Sequence, residues 1–586
     1  MPDRDVEHTV DCDLLIVGGG SAGLWDANRF TELMPDRSVV IVDKGPKDWG
    51  GLMAMAGGDF DAVMPDENVD DWLADFVYYF DGLCDQPQMA EILRRSHDRM
   101  ADYQAYGCEF FRKEDGSLKA VPQRGLPHVR LYPASLKGRG GELMVKKLVE
   151  RLKGRKVTRL GRIMITDLLQ NGERVCGAVG FDSINGDFYI FRAQVVIAAS
   201  GVGGWKTSYG KNTPTGEGVE MAWNAGAILR DFEFGRVWNM PRYFGWEGQT
   251  TLMPLGGRFV NAKGESFMER YSPVLGANTD PHYTTIAMAM EIRAGRGPIF
   301  FDISRINPDD LVLLKPQNGW QLLNYEKLRS LGMDLFRDNT EWLPQMTISY
   351  GGMHADVTGH TSVPGLFAAG TARSTEPGVY AGGFALMTTS VTGHLAGEGA
   401  AQYLEEHEHV NCPESAECGR FREEIYAPLG RDSGLAPKQV LTRIQTVMFP
   451  YDVSILKNGK ALSRALEEIR RIREEDVPAM RADDPHYLLK LREVRSMAFV
   501  SELYLRASLE RKESRAGHYR EDFPSRDNSL YLAWLELARG ENGAVDMTWK
   551  PVPLETYPLP VTRYYQDNFR FNDDSLNMAA PSGVKE

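Results

Sequence analysis

CDLLIVGGGSAGLWDANRF, Cys12–Phe30, is the stretch from which the fold of this chain is read. Asp13–Val17 is short, apolar and rich in β-branched residues, the composition of a buried parallel strand. Gly18, Gly20 and Gly23 follow at G-x-G-x-x-G spacing, and Leu24–Leu33 can run as a helix. Gly18 allows the tight turn, Gly20 lets backbone N–H groups approach a pyrophosphate, and Gly23 lets the helix lie close to the strand. A second strand, Ser38–Asp43, ends in an acid twenty residues after Gly23. That acid can accept a hydrogen bond from an adenosine ribose hydroxyl, and Lys44 follows it. The pattern defines a dinucleotide site.

Working outward, 586 residues allow roughly two to four domains. A hydrophobic fraction of 42% and a mean hydropathy of −0.35 fit a globular protein with an ample core. No apolar run approaches the roughly eighteen residues of a membrane span. The opening MPDRDVEHTVD is acidic and polar, unlike a signal peptide. The six cysteines (Cys12, Cys84, Cys108, Cys176, Cys412, Cys418) are scattered without a C-x-x-C pair, so neither a disulfide framework nor a metal site is expected. A net charge of −14 disfavours nucleic acid or an anionic membrane as partner. The expectation is a cytoplasmic, oligomeric enzyme acting on a small molecule.

After Asp43, glycines Gly50, Gly51, Gly57 and Gly58 flank a small apolar stretch, suited to backbone lying against a flat ring or else to a flexible loop. Amphipathic helices are expected over Asp70–Tyr106 and Glu142–Leu152, and strands at Val157–Leu160, Ile163–Leu169 and around a turn at Asn185-Gly186. The run Val195–Ala199 ends in Ser200-Gly201-Val202-Gly203-Gly204, a second backbone contact for a dinucleotide. Thr213–Gly218, with Thr215 and Gly216, then opens a helix over Val219–Ala225. From 231 to 343 aromatics, prolines and charges interleave, as in an inserted domain. The nucleotide pattern returns over 344–404. There, a strand is expected at Met353–Val357, and Leu366–Ala369 ends at Gly370 and Thr371. Gly382-Gly383 opens a helix through Ala385 and Leu386, whose amides can hold the electron-rich edge of a ring. Residues 405–586 read as a helical domain with an extended, proline-rich tail from Trp549.

Seven pieces set in order resemble the flavoprotein subunits of the succinate dehydrogenase/fumarate reductase family. They are LLIVGGGSAGLWDANRF, VVIAASGVGG, TPTGEG, NAKGESFMERY (Asn261–Tyr271), EIRAGRGPIFFDI (Glu291–Ile303), GLFAAG (Gly365–Gly370) and ESRAGHYREDFP (Glu513–Pro524). The resemblance implies an α/β fold: a Rossmann-like FAD-binding domain (1–230 and 344–404), an inserted α+β capping domain (231–343) and a helical C-terminal domain (405–586). It also implies FAD, and hydride transfer at flavin N5.

Several family positions differ. The histidine that usually tethers the flavin falls at Gly51, so the resemblance with this departure implies non-covalent FAD. The His-Pro-Thr-Gly substrate motif, expected near Glu233–Arg236, is absent, and Thr251–Arg258 replaces the Thr-Glu-Gly-x-x-Arg segment. Catalytic arginines fall at Ile286 and Tyr380, and a substrate histidine near Thr347. Without these polar groups the two carboxylates of a C4-dicarboxylate lack cationic partners, so succinate or fumarate is not the expected substrate. The alpha subunit of adenylylsulfate reductase is similar through an aromatic-rich Pro-Arg segment, here Trp238–Gly248. In that likeness Arg242 faces the flavin, near Trp238, Tyr243 and Trp246, and grips a sulfur oxyanion, phosphate or carboxylate. An interdomain ion pair is the alternative for Arg242.

Tyr380 is a candidate general acid or oxygen donor, or a packed ring with a satisfied hydroxyl. His354 is a second candidate, with a structural role as the alternative, and His282 a third. Arg373 reads as an anion anchor or a surface ion pair. Glu513, Arg515, Arg520 and Asp522 are expected to tie the helical domain to the FAD domain. The reading is a catalytic flavoprotein subunit exchanging electrons with a ferredoxin-like iron–sulfur subunit. Two others stay open: a stand-alone alkene or ketone dehydrogenase or reductase coupled to a quinone, and a non-catalytic flavin-binding assembly subunit.

Overall fold

The computed structural model describes residues 6–134, 140–208, 212–242, 252–310, 322–374, 381–412 and 416–571. The opening stretch forms strand β1 (Glu7–Val17) and helix α1 (Ser21–Leu33). Four further strands stack in parallel or antiparallel order around it: β2 (Val39–Asp43), β3 (Val157–Gly161), β4 (Ile163–Asn171) and β5 (Arg174–Asp182), joined by β6 (Phe188–Ala198). The sheet order is β3-β2-β1-β6-β5-β4. β1 runs parallel to β2 and to β6, with Val17 opposite Val42 on one side and Ala198 on the other. Leu14, Leu15 and Ile16 are buried on both faces, which is why this strand reads as an unbroken apolar run. Helix α2 (Glu217–Asn224) follows the loop after β6.

The chain then leaves this sheet. Strands β7 (Gly235–Pro241), β8 (Arg258–Val260), β9 (Ile299–Asp302) and β10 (Thr340–Ser349) make an antiparallel sheet in the order β7-β10-β9-β8. Helix α3 (Pro281–Arg293) packs on β7 and β10. Two of the quoted signatures meet here in one polar network. Glu291, fully buried, accepts from Asn261 Nδ2 (3.1 Å), Arg270 Nη1 (2.9 Å), Tyr271 Oη (2.8 Å) and Arg296 Nη2 (2.8 Å). A buried carboxylate needs such partners, so NAKGESFMERY and EIRAGRG hold this inserted unit together.

The short strand β11 (Leu366–Ala368) returns to the first sheet and pairs parallel with the end of β6, Leu366 opposite Val196. Helix α4 (Phe384–Glu406) then lies against α1. A Cβ at Gly393 would meet Ala22 O at 2.5 Å, and one at Gly397 would meet Asp26 O at 2.6 Å. Glycine at these two positions, one turn apart, lets the helices touch backbone to backbone.

Two expectations change. Met353–Val357 is not a strand: the strand is Gly352–Met353 alone, and Ala355 makes a single bridge to Thr361, because Asp356 Oδ1 accepts from the amides of Thr358 (2.8 Å) and His360 (3.0 Å) and turns the chain. The last third is also not helical throughout. After the helix Gly459–Arg471, a π-helical turn Ile472–Asp476 and the long helix α5 (Pro485–Glu510) comes a β-hairpin, β12 (Ala533–Arg539) and β13 (Val545–Pro551). Val545, Met547 and Trp549 alternate with exposed residues, a period of two hidden in seven residues. β12 pairs with Leu229–Arg230, which pairs with Gly352–Met353, so this small sheet draws strands from three distant parts of the sequence. Beyond Pro551 the chain is held down: Tyr565 is fully buried and Gln566 N donates to Asp81 Oδ1 at 3.0 Å.

Of the ESRAGHYREDFP charges, Glu513, Arg515 and Arg520 are buried, while Asp522 is exposed. Arg511 bonds Glu233 and Glu513, each at 2.8 Å, and Arg515 bonds Glu513 at 2.7 Å and Asp81 O at 2.6 Å. Arg520 bonds Asp522 at 2.8 Å.

Candidate functional site

A cavity of about 290 Å³ opens at the carboxyl ends of β1, β2 and β6, where Val17, Asp43 and Ala199 meet it. This is where parallel α/β sheets bind ligands. The predicted residues Gly18, Gly20, Asp43, Lys44, Gly51, Gly57, Gly58, Ser200, Gly201, Thr371, Ala385 and Leu386 all line it. Gly23, Thr215, Gly216 and Gly370 stand behind the wall. A Cβ at Gly23 would meet Gly18 O at 2.0 Å, one at Gly216 would meet Val500 at 2.5 Å, and one at Gly370 would meet Ala22 at 2.7 Å.

The cavity suits a diphosphate carrying a flat ring. Helices α1, α2 and α4 begin at Gly20, Gly216 and Gly383, and none has a side-chain cap. Their first amides are therefore left for a ligand. A Cβ at Gly20 would meet no protein atom nearer than 3.8 Å, and one at Gly201 none nearer than 3.6 Å. Those glycines are not demanded by protein packing and leave room at the cavity wall. The Ser200 hydroxyl is buried without a hydrogen-bond partner among the described residues, which a bound polar group would satisfy. Asp43 fixes the loop beneath: its Oδ2 accepts from Gly19 N at 2.7 Å and its Oδ1 from Gly45 N at 2.6 Å. Each oxygen keeps a second lone pair for a ribose hydroxyl.

Lys44 and Lys206 form an ionic edge. Lys44 Nζ bonds Thr215 Oγ1 (2.7 Å), Glu217 Oε1 (2.6 Å) and Glu493 Oε1 (3.0 Å). Burial would pull this ammonium down, but Glu217 and Glu493 hold its pKa above the ordinary lysine value. Lys206 bonds Glu493 Oε2 at 2.7 Å, with its own pKa lowered by burial. Against the same burial, Lys44 and Lys206 draw Glu493 down to about 2. Helix α5 thereby reaches the cavity from the C-terminal domain.

The opposite wall comes from β7 and β10: Arg236, Trp238, Thr347 and Ile348, with Trp205 beside them. Residues 236 and 238 share a face of β7. The Arg236 guanidinium lies over the Trp238 ring, 4.3 Å from its centroid. Thr347 Oγ1 donates to Arg236 O at 3.2 Å across the pair. Sequence reasoning passed over Arg236, because Glu233–Arg236 was read only as the place of a missing motif. The signal that could have found it is the alternation Arg236, Trp238 in a strand ending at a proline.

Of the proposed catalytic groups, Arg242 and His354 lie away from this cavity. Arg242 follows β7 with its side chain 56% exposed and its Nη1 2.7 Å from Glu341 Oε2; it does not line the cavity. Tyr380, Tyr243 and Trp246 lie outside the described residues. His354 is part-buried beside Arg230 and Arg373, away from the cavity wall. Arg373 is neither on the surface nor in the cavity wall: it is 2% exposed, and its Nη2 donates to Gln88 Oε1 (2.6 Å) and Asp356 O (2.7 Å). His282, on α3, is fully buried with Nδ1 3.3 Å from Asp280 Oδ1.

Burial first, and then Arg230, pushes the His354 pKa from 6.5 down to about 4. The imidazole is thus neutral at pH 7. A depressed folded-state pKa contributes stability that is present above the unfolded value and is lost as the pH falls through the folded one. Between pH 6.5 and 4 the native protein should lose up to about 3 kcal/mol from this group. Acid titration of His354→Gln should show a shallower loss than the unsubstituted protein over that window.

With this geometry in hand, the known proteins are informative. A family model described as an FAD binding domain matches residues 13–385, and one described as the fumarate reductase flavoprotein C-terminus matches 442–565. Among curated proteins, a subunit of the fumarate reductase (CoM/CoB) of Methanothermobacter marburgensis is 31% identical over 546 residues, covering 88% of this chain and 95% of that protein. A fumarate reductase flavoprotein subunit of Mycobacterium tuberculosis is 27% identical, covering 95% and 100%. Among solved structures, a FrdA variant of the E. coli quinol fumarate reductase superposes with a TM-score of 0.83 at 22% identity, covering 94% of this chain and 98% of that one. The adenylylsulfate reductase of Archaeoglobus fulgidus superposes with 0.79 at 20% identity, covering 94% and 97%. The chain belongs to the succinate dehydrogenase/fumarate reductase flavoprotein family. It is an FAD-dependent oxidoreductase, with a Rossmann-like FAD-binding domain, a capping domain and a helical C-terminal domain.

Proposed function

We propose that the chain is a catalytic flavoprotein subunit that holds FAD without a covalent bond. Its substrate is then a small anion, gripped by Arg236 against Trp238, and is not a C4-dicarboxylate. FAD, when bound, supplies the two-electron chemistry. The protein's share is to bind, orient and shield. The uncapped amides of α1 and α2 meet the diphosphate, and those of α4 meet the ring edge. The observation that carries the reading is Arg236 itself, a planar guanidinium backed by an indole in the cavity wall. A planar fork of this kind matches a carboxylate, phosphate or sulfur oxyanion. Arg242, engaged by Glu341, is set aside as the grip, and Tyr380 is kept as the proton donor. Against a C4-dicarboxylate stand Thr347 and Ile348 in the wall and a buried Ile286 where family members carry polar groups.

Arg236→Gln should lower kcat/KM about a hundredfold while flavin content stays unchanged. A dye-coupled assay over sulfur oxyanions, carboxylates and fumarate would read it; an unaltered kcat/KM would remove Arg236 from the site. Fumarate is the second reading, favoured by the relative at 31% identity. In that case Arg236 and Lys206 take its two carboxylates, and turnover of fumarate in the same assay would decide for it. Gly51, which the family resemblance sets at the tether position, lines the cavity and has no side chain to bond a flavin. Acid precipitation should therefore release all the flavin into the supernatant, whereas a yellow pellet would show a covalent bond. The partner in this proposal is a ferredoxin-like iron–sulfur subunit, consistent with the relatives' being named as subunits. Purification of a fully active single chain would count against it.

A further inference from the structure

Away from the FAD cavity, a second cavity of about 230 Å³ opens between α2, α5, the π-helical turn Ile472–Asp476 and the tip of the β12–β13 hairpin. Its wall carries Arg473, Arg495 and Arg539 against a single carboxylate, Glu220. The surroundings do not restore the balance. Glu502 is shared by Arg470, Arg473 and Arg506. Glu220 bonds Arg495 at 2.9 Å and also takes the Ser496 hydroxyl at 2.5 Å. Asp167 and Glu424 act on both Arg492 and Arg495. Arg539 donates to Asn224 O at 2.9 Å and has no carboxylate partner among the described residues. Among the described residues, the charge interactions of Arg470, Arg473, Arg492, Arg495 and Arg506 run to Glu220, Glu502, Asp167 and Glu424. Behind the wall, Arg492 Nη2 is buried without a hydrogen-bond partner among the described residues.

The shape narrows the ligand. Arg473 and Arg495 keep 36% and 38% of their side chains exposed, so each remains partly accessible beside its bond to Glu502 or Glu220. Trp223 and Phe499 form the apolar floor, but each is only 4% exposed, and Arg473 covers the Phe499 ring at 5.3 Å. No ring face is left for a base to stack on. Charge and oxygen atoms are what this pocket can recognise. The π-helical turn that carries Arg473 is a rare conformation that concentrates at functional sites.

We propose that this pocket binds a small free polyanion bearing two or more phosphate or carboxylate groups. Inorganic pyrophosphate is the probe. Calorimetric titration of the FAD-loaded protein at low ionic strength should give saturable one-site binding. Arg539→Gln should weaken it about tenfold, and Arg473→Gln about tenfold again. Flavin content and melting temperature should not change, since both side chains are substantially exposed. Lys460→Gln, at the exposed start of the helix Gly459–Arg471, should leave the binding as it was. Absence of saturable binding, or equal weakening by Lys460→Gln, would overturn the proposal. Loss of pyrophosphate binding on addition of a co-purified protein would assign the pocket to a protein contact instead and would overturn it too.

Discussion

Gly20→Val should fold, melt close to the parent protein, and fail to retain FAD. The backbone at Gly20 is extended, with φ −79°, so a β-branched side chain is tolerated. A Cβ there would meet no protein atom nearer than 3.8 Å. The new methyl groups would instead occupy the space through which the α1 amides reach a diphosphate. Losing two charge-assisted hydrogen bonds is worth about 3 kcal/mol or more, at least about a hundredfold in the dissociation constant. Fluorescence titration of the apoprotein with FAD measures it. Gly18→Val is the informative contrast. Its φ is +119°, and a Cβ would sit 2.4 Å from Ala199 O, so that variant should fail in folding rather than in binding. If Gly20→Val bound FAD as well as the parent, the cradle would be misassigned.

Glu513→Gln should be the most destabilising single substitution on the polar side of the molecule. Glu513, Arg511 and Arg515 are fully buried, and the carboxylate takes both guanidinium groups and the Asp527 amide at 2.8 Å. Removing its charge leaves two buried cations without the one carboxylate that both of them bond, with Glu233 still on Arg511 and Asp81 near Arg515. A buried pair broken on one side costs about 3–5 kcal/mol. Calorimetry should show the melting temperature falling by several degrees, with FAD lost earlier in the transition. Glu468→Gln, which frees the exposed Arg471, should leave the midpoint where it was. Equal effects of the two substitutions would mean that the buried network carries no special share of the stability.

The cradle was legible in the sequence because its chemistry is local. A glycine spacing, an apolar run and an acid at the end of the next strand each constrain a few neighbouring residues, and Gly18, Gly20 and Asp43 all stand where that logic puts them. The substrate wall was not legible in the same way. Arg236 enters the cavity only because β7 pairs with β10 more than a hundred residues later, Arg236 opposite Ile348. Alternation says which residues share a face, but not which face meets the flavin cradle. His354 and Arg373 show the converse. Each lies near a cofactor signature in sequence, yet burial among Gln88, Asp356 and Arg230 turns them away from the cavity. The β12–β13 hairpin escaped because seven residues of alternation in an Arg- and Glu-rich region look like the edge of a helix.

The place of β11 beside β6 has a consequence during synthesis. The two strands are joined by a whole inserted unit, some 170 residues between Ala198 and Ala368. At roughly 5–20 residues per second, a ribosome needs on the order of ten to thirty seconds to deliver β11 after β6 has emerged. Through that interval the end of β6 is an open, apolar strand edge, the kind that invites pairing with another nascent chain. The intervening unit, with its own sheet and the Glu291 network, can form before the nucleotide fold closes over it. The inserted unit can therefore be complete before the last strand of the sheet beneath it is in place.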